Sequence, residues 1–455
     1  MKRVALHTLG CKLNFAETST IGRQFVERGF HVVDFHEPAE VYVLNTCSVT
    51  GRADREARQV IRRALRTSPD AYVIVVGCYA QLEPEEIARV DGVDLILGSS
   101  EKLRLFDFID DFTKNSYPQM HVSDIHNCVD FGPAFSADTG YRTRGFLKIQ
   151  DGCDFTCSFC TIPLARGASR SQPIEVVLQQ ATFLARQGFK EIVLTGVNVG
   201  DYGKNNGTNL LALLKELENV TGIERVRISS IEANLLTREM VDFIIHSERI
   251  CNHFHIPMQS GSNSILKKMR RRYLANHYRE LTEYVASKDP DAGIGADVIV
   301  GFPGETDALF EETYMFLVDL PISYFHVFTY SERPNTPAAQ FPEAVEPKVR
   351  SRRSEMLRNL GWKKRHDFYS RFVGKTTNVL FENTTQHSDV SGLTTNYIRV
   401  KTRADGDLVN RIIPVTIRGI DDDECVGVIE HDSLHGYSPG DTLLAETTSS
   451  AMAGR

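Results

Sequence analysis

The chain has 455 residues, which at roughly 150 residues per domain leaves room for about three domains. Its composition is 42% hydrophobic and 24% charged, which excludes a disordered or collagen-like chain, and no apolar run reaches the roughly 18 residues of a membrane span. The net charge of −7, from 52 basic and 59 acidic residues, excludes a bulk nucleic-acid binder, so any RNA contact must use local basic patches. The start, Met1-Lys2-Arg3-Val4-Ala5-Leu6, has no long apolar signal region, so a cytoplasmic location is expected. Nine cysteines in a reducing compartment are expected to include metal ligands or reactive thiols.

Residues 1–113 alternate strand and helix. Val4–Leu9, His31–Phe35, Val41–Asn45, Tyr72–Gly77 and Asp94–Leu97 read as short buried strands, with helices over Phe15–Arg28, Ala53–Arg66, Glu85–Val90 and Lys102–Phe112. Such alternation predicts a parallel sheet covered by helices. Residues 114–138 are polar and read as a linker. Residues 139–371 repeat the pattern six times, with strands predicted at Gly145–Gln150, Glu191–Thr195, Arg225–Ser229, His253–Ile256, Ala296–Val300 and Tyr324–Thr329. Six strand–helix units suggest an incomplete barrel, closed by a long basic helix, Val349–Arg371. Residues 372–446 turn to short Thr-, Val- and Ile-rich runs (Thr377–Phe381, Tyr397–Thr402, Ile412–Ile417 and Glu424–Ile429), which predict a small all-β barrel. Residues 447–455 read as a disordered tail. The fold class is thus multidomain α/β with a terminal β-barrel.

Asp151-Gly152-Cys153-Asp154-Phe155-Thr156-Cys157-Ser158-Phe159-Cys160 places three cysteines as C-x3-C-x2-C just after a predicted strand. Three thiolates on one short loop can hold three corners of a 4Fe-4S cluster and leave one iron open. A zinc site with a remote fourth ligand, or three inert thiols, are the competing readings, although zinc sites more often pair C-x2-C units. With the six-unit barrel, the spacing resembles the radical S-adenosylmethionine (SAM) superfamily. That resemblance implies that the open iron binds SAM, whose reductive cleavage gives a 5′-deoxyadenosyl radical. It also implies cofactor contacts from Phe159, the aromatic before the last cysteine, from Gly196 and Asn198 in the turn after the second strand, and from Ser230 and Glu232 after the third.

Cys11, Cys47 and Cys78 lie far apart in sequence, yet each directly follows a predicted parallel strand. Parallel strands end along one sheet edge, where ligand sites form, so the three thiols are expected to converge. Their flanks, Gly-Cys-Lys-Leu-Asn, Asn-Thr-Cys-Ser-Val-Thr and Gly-Cys-Tyr-Ala-Gln, resemble the N-terminal domain of the methylthiotransferase family. Lys148-Ile149-Gln150-Asp151-Gly152-Cys153, Ala165-Arg166-Gly167, Ser229-Ser230-Ile231-Glu232, His255-Ile256-Pro257-Met258-Gln259-Ser260-Gly261-Ser262 and Asp297-Val298-Ile299-Val300-Gly301-Phe302-Pro303-Gly304-Glu305 agree with it. The C-terminal segment resembles the TRAM-like RNA-binding barrel of these enzymes. Family branches act on isopentenyladenosine in tRNA, on threonylcarbamoyladenosine in tRNA, or on an aspartate of a ribosomal protein. Lys12 and Leu13 stand where the isopentenyl branch typically has Gln and Met, and the Cys47 and Cys78 flanks and Asn396-Tyr397-Ile398-Arg399-Val400 resemble the bacterial threonylcarbamoyladenosine branch. The resemblance implies two 4Fe-4S clusters, SAM as radical source and methyl donor, a tRNA carrying threonylcarbamoyladenosine, and an external electron donor such as flavodoxin or ferredoxin. A monomer is expected. Asp297 and Glu305 are candidates for substrate or cofactor contacts. Cys128, Cys251 and Cys425 match no motif and read as plain thiols.

Three basic groups are candidates for RNA contact. On a helix, Arg52, Arg55, Arg58, Arg62, Arg63 and Arg66 fall within an arc of about 140°, opposite Ala57, Val60, Ile61 and Ala64. Such a stripe beside Cys47 suits phosphates. Lys267, Lys268, Arg270, Arg271 and Arg272 form a second cluster. Arg399, Lys401 and Arg403 alternate along one strand, on one face. Solvated surface is the competing reading for all three groups.

Overall fold

The computed structural model describes residues 2–137, 143–384, 389–403 and 407–430. The expected tail at 447–455 lies outside these. Six parallel strands, β1 (Arg3–Thr8), β2 (His31–Val33), β3 (Val41–Thr46), β4 (Tyr72–Gly77), β5 (Leu95–Leu97) and β6 (Gln119–His121), form one sheet in the order β2-β1-β3-β4-β5-β6. Central β3 and β4 are wholly buried Val- and Ile-rich runs, as a sheet covered on both faces requires. Two differences from the sequence reading stand at the edges. β2 carries exposed His31 and Val32, because an edge strand is covered less. The stretch 114–138, expected as a linker, contributes β6, a three-residue strand too short and polar to signal itself. Three helices matter for the site: α1 (Lys12–Glu27), α2 (Gly51–Thr67) and the single turn α3 (Cys78–Leu82). Thr50 caps α2 by accepting from the Ala53 amide at 3.2 Å.

β7 (Arg144–Lys148) opens the barrel, and β8 (Gln150–Asp151) pairs antiparallel with β9 (Arg170–Ser171) to bracket the loop carrying Cys153, Cys157 and Cys160. β10 (Glu191–Thr195), β11 (Arg225–Ile228), β12 (His253–His255), β13 (Gly293–Val300) and β14 (Tyr324–Thr329) complete it. The barrel is incomplete: the sheets β11-β10-β7 and β12-β13-β14 are separate, joined by a bridge between Val226 and Ile250 and by the Ile231 amide donating to the His255 carbonyl at 3.0 Å. Period two divides each strand. Leu147, Ile192, Leu194, Val226, Ile228, Phe254, Ile294, Ala296, Val298 and Phe325 join the core under the outer helices. That leaves Arg144, Phe146, Lys148, Glu191, Val193, Arg225, Arg227, His253, His255, Asp297, Tyr324 and His326 on the concave face.

α1 of the N-terminal domain packs against this concave face. Phe15 meets Phe146 edge-on at 5.6 Å, with Ala16 and Val193 beside them. The helix Pro347–Ser370 then leads into a closed five-stranded barrel, β15 (Thr376–Thr384), β16 (Asp389–Leu393), β17 (Arg399–Arg403), β18 (Ile412–Asp421) and β19 (Glu424–Val428), ordered β15-β16-β17-β19-β18. β16 is an addition to the sequence reading; its Ser391-Gly392 centre masks the strand pattern. This domain caps the concave face. Arg225 donates to the carbonyls of Leu393 (3.0 Å) and Asn378 (2.9 Å), and Arg227 to those of Thr395 (2.8 Å) and Thr394 (2.9 Å).

Candidate active site

β1, β3 and β4 are neighbours, so the residues following them meet at one edge. Cys11, Cys47 and Cys78 stand there. Gly10 and Gly77 precede two of them, both at φ +101°. A Cβ on Gly10 would sit 2.6 Å from the Cys47 Cβ and 2.9 Å from its Sγ; one on Gly77 would sit 2.5 Å from Asn45 Oδ1. Only glycine fits both the conformation and the space. The Cys47 loop is clasped from the barrel. Arg333 donates to Ser48 Oγ at 2.8 Å and pairs with Asp54 at 2.6 Å.

Across from this edge lies the barrel triplet. The Phe155 amide donates to Cys153 Sγ at 3.4 Å, and Arg271 Nη1 to Cys157 Sγ at 3.4 Å. Cys11, Cys47 and Cys78 open onto a cavity of about 640 Å³ that Cys160 of the barrel triplet, Phe159 and Gly196 also line. No cysteine is in a disulfide among the described residues. Burial pushes the Cys47 and Cys160 thiols up to about 12 and Cys153 up to about 11. As free thiols they are protonated at neutral pH, and an iron cluster is the kind of cation that deprotonates them on ligation. Two sets of three thiols, with N–H donors aimed at sulfur and glycines clearing the approach, fit two clusters of three-cysteine ligation.

The SAM contacts expected from sequence fare unevenly. Phe159 and Gly196 line the cavity. Asn198 is buried, its backbone amide donates to Gln150 Oε1 at 2.8 Å, and both side-chain amide atoms lack a partner. An unsatisfied buried amide is costly, which fits a polar ligand in contact with it. Ser230 is already bonded to His255 Nδ1 at 2.9 Å, and Glu232 to Arg271. Both therefore reach a ligand only by sharing their bonds. Asp297 lines the cavity and lies 3.3 Å from His255 Nε2. Glu305 does not reach it: it accepts from the Gly301 amide and pairs with buried Arg353, holding the turn after β13.

A buried charge cluster ties the two cysteine sets together. Glu17 of α1 pairs with Arg166 (3.0 Å), Lys102 (2.7 Å) and Lys148 (3.1 Å). Arg166 also pairs with Asp151 at 2.9 Å and donates to Asn14 Oδ1 at 2.6 Å. Asn14 in turn donates to the carbonyls of Leu9 and Thr46, beside Cys11 and Cys47. Burial alone would raise the Glu17 carboxyl, but Arg166, Lys102 and Lys148 hold it well below the usual carboxylate range. Sequence alone showed Arg166 only as part of a motif, and neither Glu17 nor Arg333 gave a signal.

Comparison with known proteins agrees with this geometry. Residues 3–98 match the model of the uncharacterized protein family UPF0004, and residues 147–317 that of the radical SAM superfamily. The chain is 41% identical over 427 residues to the threonylcarbamoyladenosine tRNA methylthiotransferase MtaB of Bacillus subtilis, covering 92% of this chain and 94% of that protein. The chain belongs to the radical SAM methylthiotransferase family. The tRNA-2-methylthio-N(6)-dimethylallyladenosine synthase of Pelotomaculum thermopropionicum is 30% identical, covering 95% and 98%. Among solved structures, the radical SAM methyltransferase TsrM of Kitasatospora setae matches with a TM-score of 0.52 at 12% identity, covering 74% of this chain and 75% of that one, a likeness of fold alone.

The basic groups of this methylthiotransferase separate on inspection. Arg271 is a correction: it is buried, bonded to Glu232, Tyr273 and Cys157, and closed to RNA. Packing within the barrel turns a charge run that looks solvated in sequence into a support of the cluster loop. Arg399 and Lys401 share a face of β17, but Arg399 lies near Glu382 and Glu424, and Lys401 pairs with Asp421 at 3.0 Å. That face is charge-balanced rather than basic. On α2, Arg58 is engaged by Tyr79 and Glu86, whereas Arg55 and Arg62 are exposed with no ion pair among the described residues. Replacing Arg55 and Arg62 by Ala is expected to weaken tRNA binding and flatten its log–log salt dependence by about 1–2. Replacing Arg399 should leave the slope unchanged. Filter binding between low and physiological salt measures both.

Proposed function

We propose that this enzyme converts N6-threonylcarbamoyladenosine at position 37 of tRNA, next to the anticodon, into its 2-methylthio derivative. The observation that carries the reading is one cavity lined by all three N-terminal cysteines and by Cys160 of the barrel triplet. The 41% identity to a protein named for this reaction supports it. Cys153, Cys157 and Cys160 would hold the SAM-binding cluster, and Cys11, Cys47 and Cys78 a second one. Bound there, SAM supplies a carbon radical and a methyl group, and the second cluster a route for sulfur. The chain's own part is placement. The Asn198 amide and the Phe159 ring would hold SAM, Asp297 and His255 face the substrate space, and α2 arginines would meet tRNA phosphates. An external flavodoxin or ferredoxin is the electron donor in this reading, and the cytoplasm its location. No described helix is long and apolar enough to cross a membrane.

The test is anaerobic reconstitution with SAM, reductant and sulfide on two tRNAs, one with threonylcarbamoyladenosine and one with isopentenyladenosine. Mass spectrometry of the digested nucleosides should show the methylthio gain only on the threonylcarbamoyl nucleoside. A gain only on the isopentenyl nucleoside would keep the chemistry and overturn the substrate.

A further inference from the structure

His255, Asp297 and His326 come from three adjacent strands of the concave face. His255 of β12 pairs in register with Gly295 of β13, two residues before Asp297, and Asp297 pairs with His326 of β14. Period two turns all three side chains to the same face. One ligand atom from each, two imidazole nitrogens and a carboxylate oxygen, lies within 4.8 Å of the other two. His255 Nε2 and Asp297 Oδ1 are 3.3 Å apart. Two ligands held about 2.1 Å from a tetrahedral metal ion lie roughly 3.4 Å apart, so this pair already has the spacing of a metal's bite. It is longer than a well-made N–H···O bond.

The surroundings hold this set without using it up. Ser230 Oγ bonds His255 Nδ1 at 2.9 Å, which orients the ring with Nε2 towards Asp297. A hydrogen bond on the far nitrogen is the usual support of a metal-bound histidine. Among the described residues the Asp297 carboxylate accepts no hydrogen bond and the His326 ring makes none. The Tyr324 ring walls the set, 6.3 Å from that of His255 and 5.5 Å from that of His326, and its hydroxyl is fixed on His253 at 2.7 Å. Tyr397 of the β domain stacks on His253 at 4.4 Å and on Tyr324 at 5.8 Å, which backs this wall. Asp297 lines the cysteine cavity, and His326 lines a second cavity of about 500 Å³ with Arg365, Tyr369 and Tyr397. The three groups thus stand where the two cavities approach each other.

Two imidazoles and one carboxylate, with no thiolate, suit zinc and ferrous iron, whereas magnesium and calcium prefer oxygen ligands throughout. We propose that His255, Asp297 and His326 bind one divalent cation of the zinc class, at a site separate from both cysteine sets. His326 is exposed and unbonded among the described residues, so its ring is free to turn and close the set. Three protein ligands leave at least one coordination position open. An anionic substrate oxygen in the adjoining cavity, which Asp297 alone would repel, is then attracted.

The probe is zinc, added anaerobically to the untagged, cluster-loaded chain, so that the six cluster cysteines are occupied. Calorimetry should show about one zinc bound per chain, undiminished by excess magnesium and with iron content unchanged. X-ray absorption at the zinc edge should show nitrogen and oxygen ligands at about 2.0–2.2 Å and no sulfur at about 2.3 Å. His326→Ala and Asp297→Asn should each keep their iron and weaken zinc binding by about a hundredfold or more, the upper end of what losing a ligand's hydrogen-bond partner costs. His246→Ala, which removes an exposed histidine of the helix Arg238–His246, should bind zinc as wild type does. If wild type takes up no zinc or exchanges iron for it, if the bound zinc carries sulfur, or if either ligand variant binds as wild type does, the proposal is wrong. Zinc uptake does not depend on which nucleoside is modified, so that failure stands apart from failure of the substrate reading.

Discussion

Glu17→Gln is expected to destabilise the folded chain by about 3–5 kcal/mol, the range for removing one partner of a buried ion pair. The substitution keeps shape and removes one charge. Glu17 is the common acceptor for Arg166, Lys102 and Lys148, all of them buried. Without it, three cations are left against Asp151. Arg166→Gln should cost less, because Lys102 and Lys148 then remain balanced by Glu17 and Asp151. Charge balance, not the number of hydrogen bonds lost, decides the order. Glu40→Gln, which breaks the half-exposed pair with Arg3, should cost no more than about 1 kcal/mol. Urea unfolding of the three variants measures the order directly. A Glu17→Gln midpoint close to that of Glu40→Gln would show that the cluster does not hold the N-terminal domain on the barrel.

The second large effect separates the two cysteine sets. Cys157→Ala and Cys47→Ala should each abolish the methylthio product, and each should halve the bound iron. They should differ in SAM cleavage. Cys157→Ala should also stop release of 5′-deoxyadenosine, whereas Cys47→Ala should still release it when reduced with SAM. Cys251→Ala is the control: that thiol is buried, outside the cavity and matched to no motif, and should leave iron unchanged. Full iron in Cys47→Ala would remove the N-terminal triad from any ligand role.

Much of this was legible in sequence because the relevant signals are local. Buried β3 and β4 announce themselves as Val and Ile runs, and Cys153, Cys157 and Cys160 sit on one loop. Even the convergence of Cys11, Cys47 and Cys78 follows from parallel strands ending together. What escaped depends on residues far apart in sequence meeting in the fold. Arg271 reads as a solvated cation until Glu232 and Cys157 close around it. The basic face expected on β17 is neutralised by Glu382, Asp421 and Glu424, two of them far off in sequence. The insertion of α1 into the concave face leaves no periodic trace, because its partners, Phe146, Val193 and Lys148, belong to another domain.

The stacking of Tyr397 on His253 bears on how this chain can be cut. Residue 371 looks like a clean place to remove the β domain and ask what it adds to RNA affinity. The cut would also withdraw the carbonyls that receive Arg225 and Arg227 and bare the ring of His253. A truncated body then reports a damaged barrel as readily as a missing RNA contact. Point substitutions at exposed positions of the β domain, such as Arg403, are the cleaner instrument.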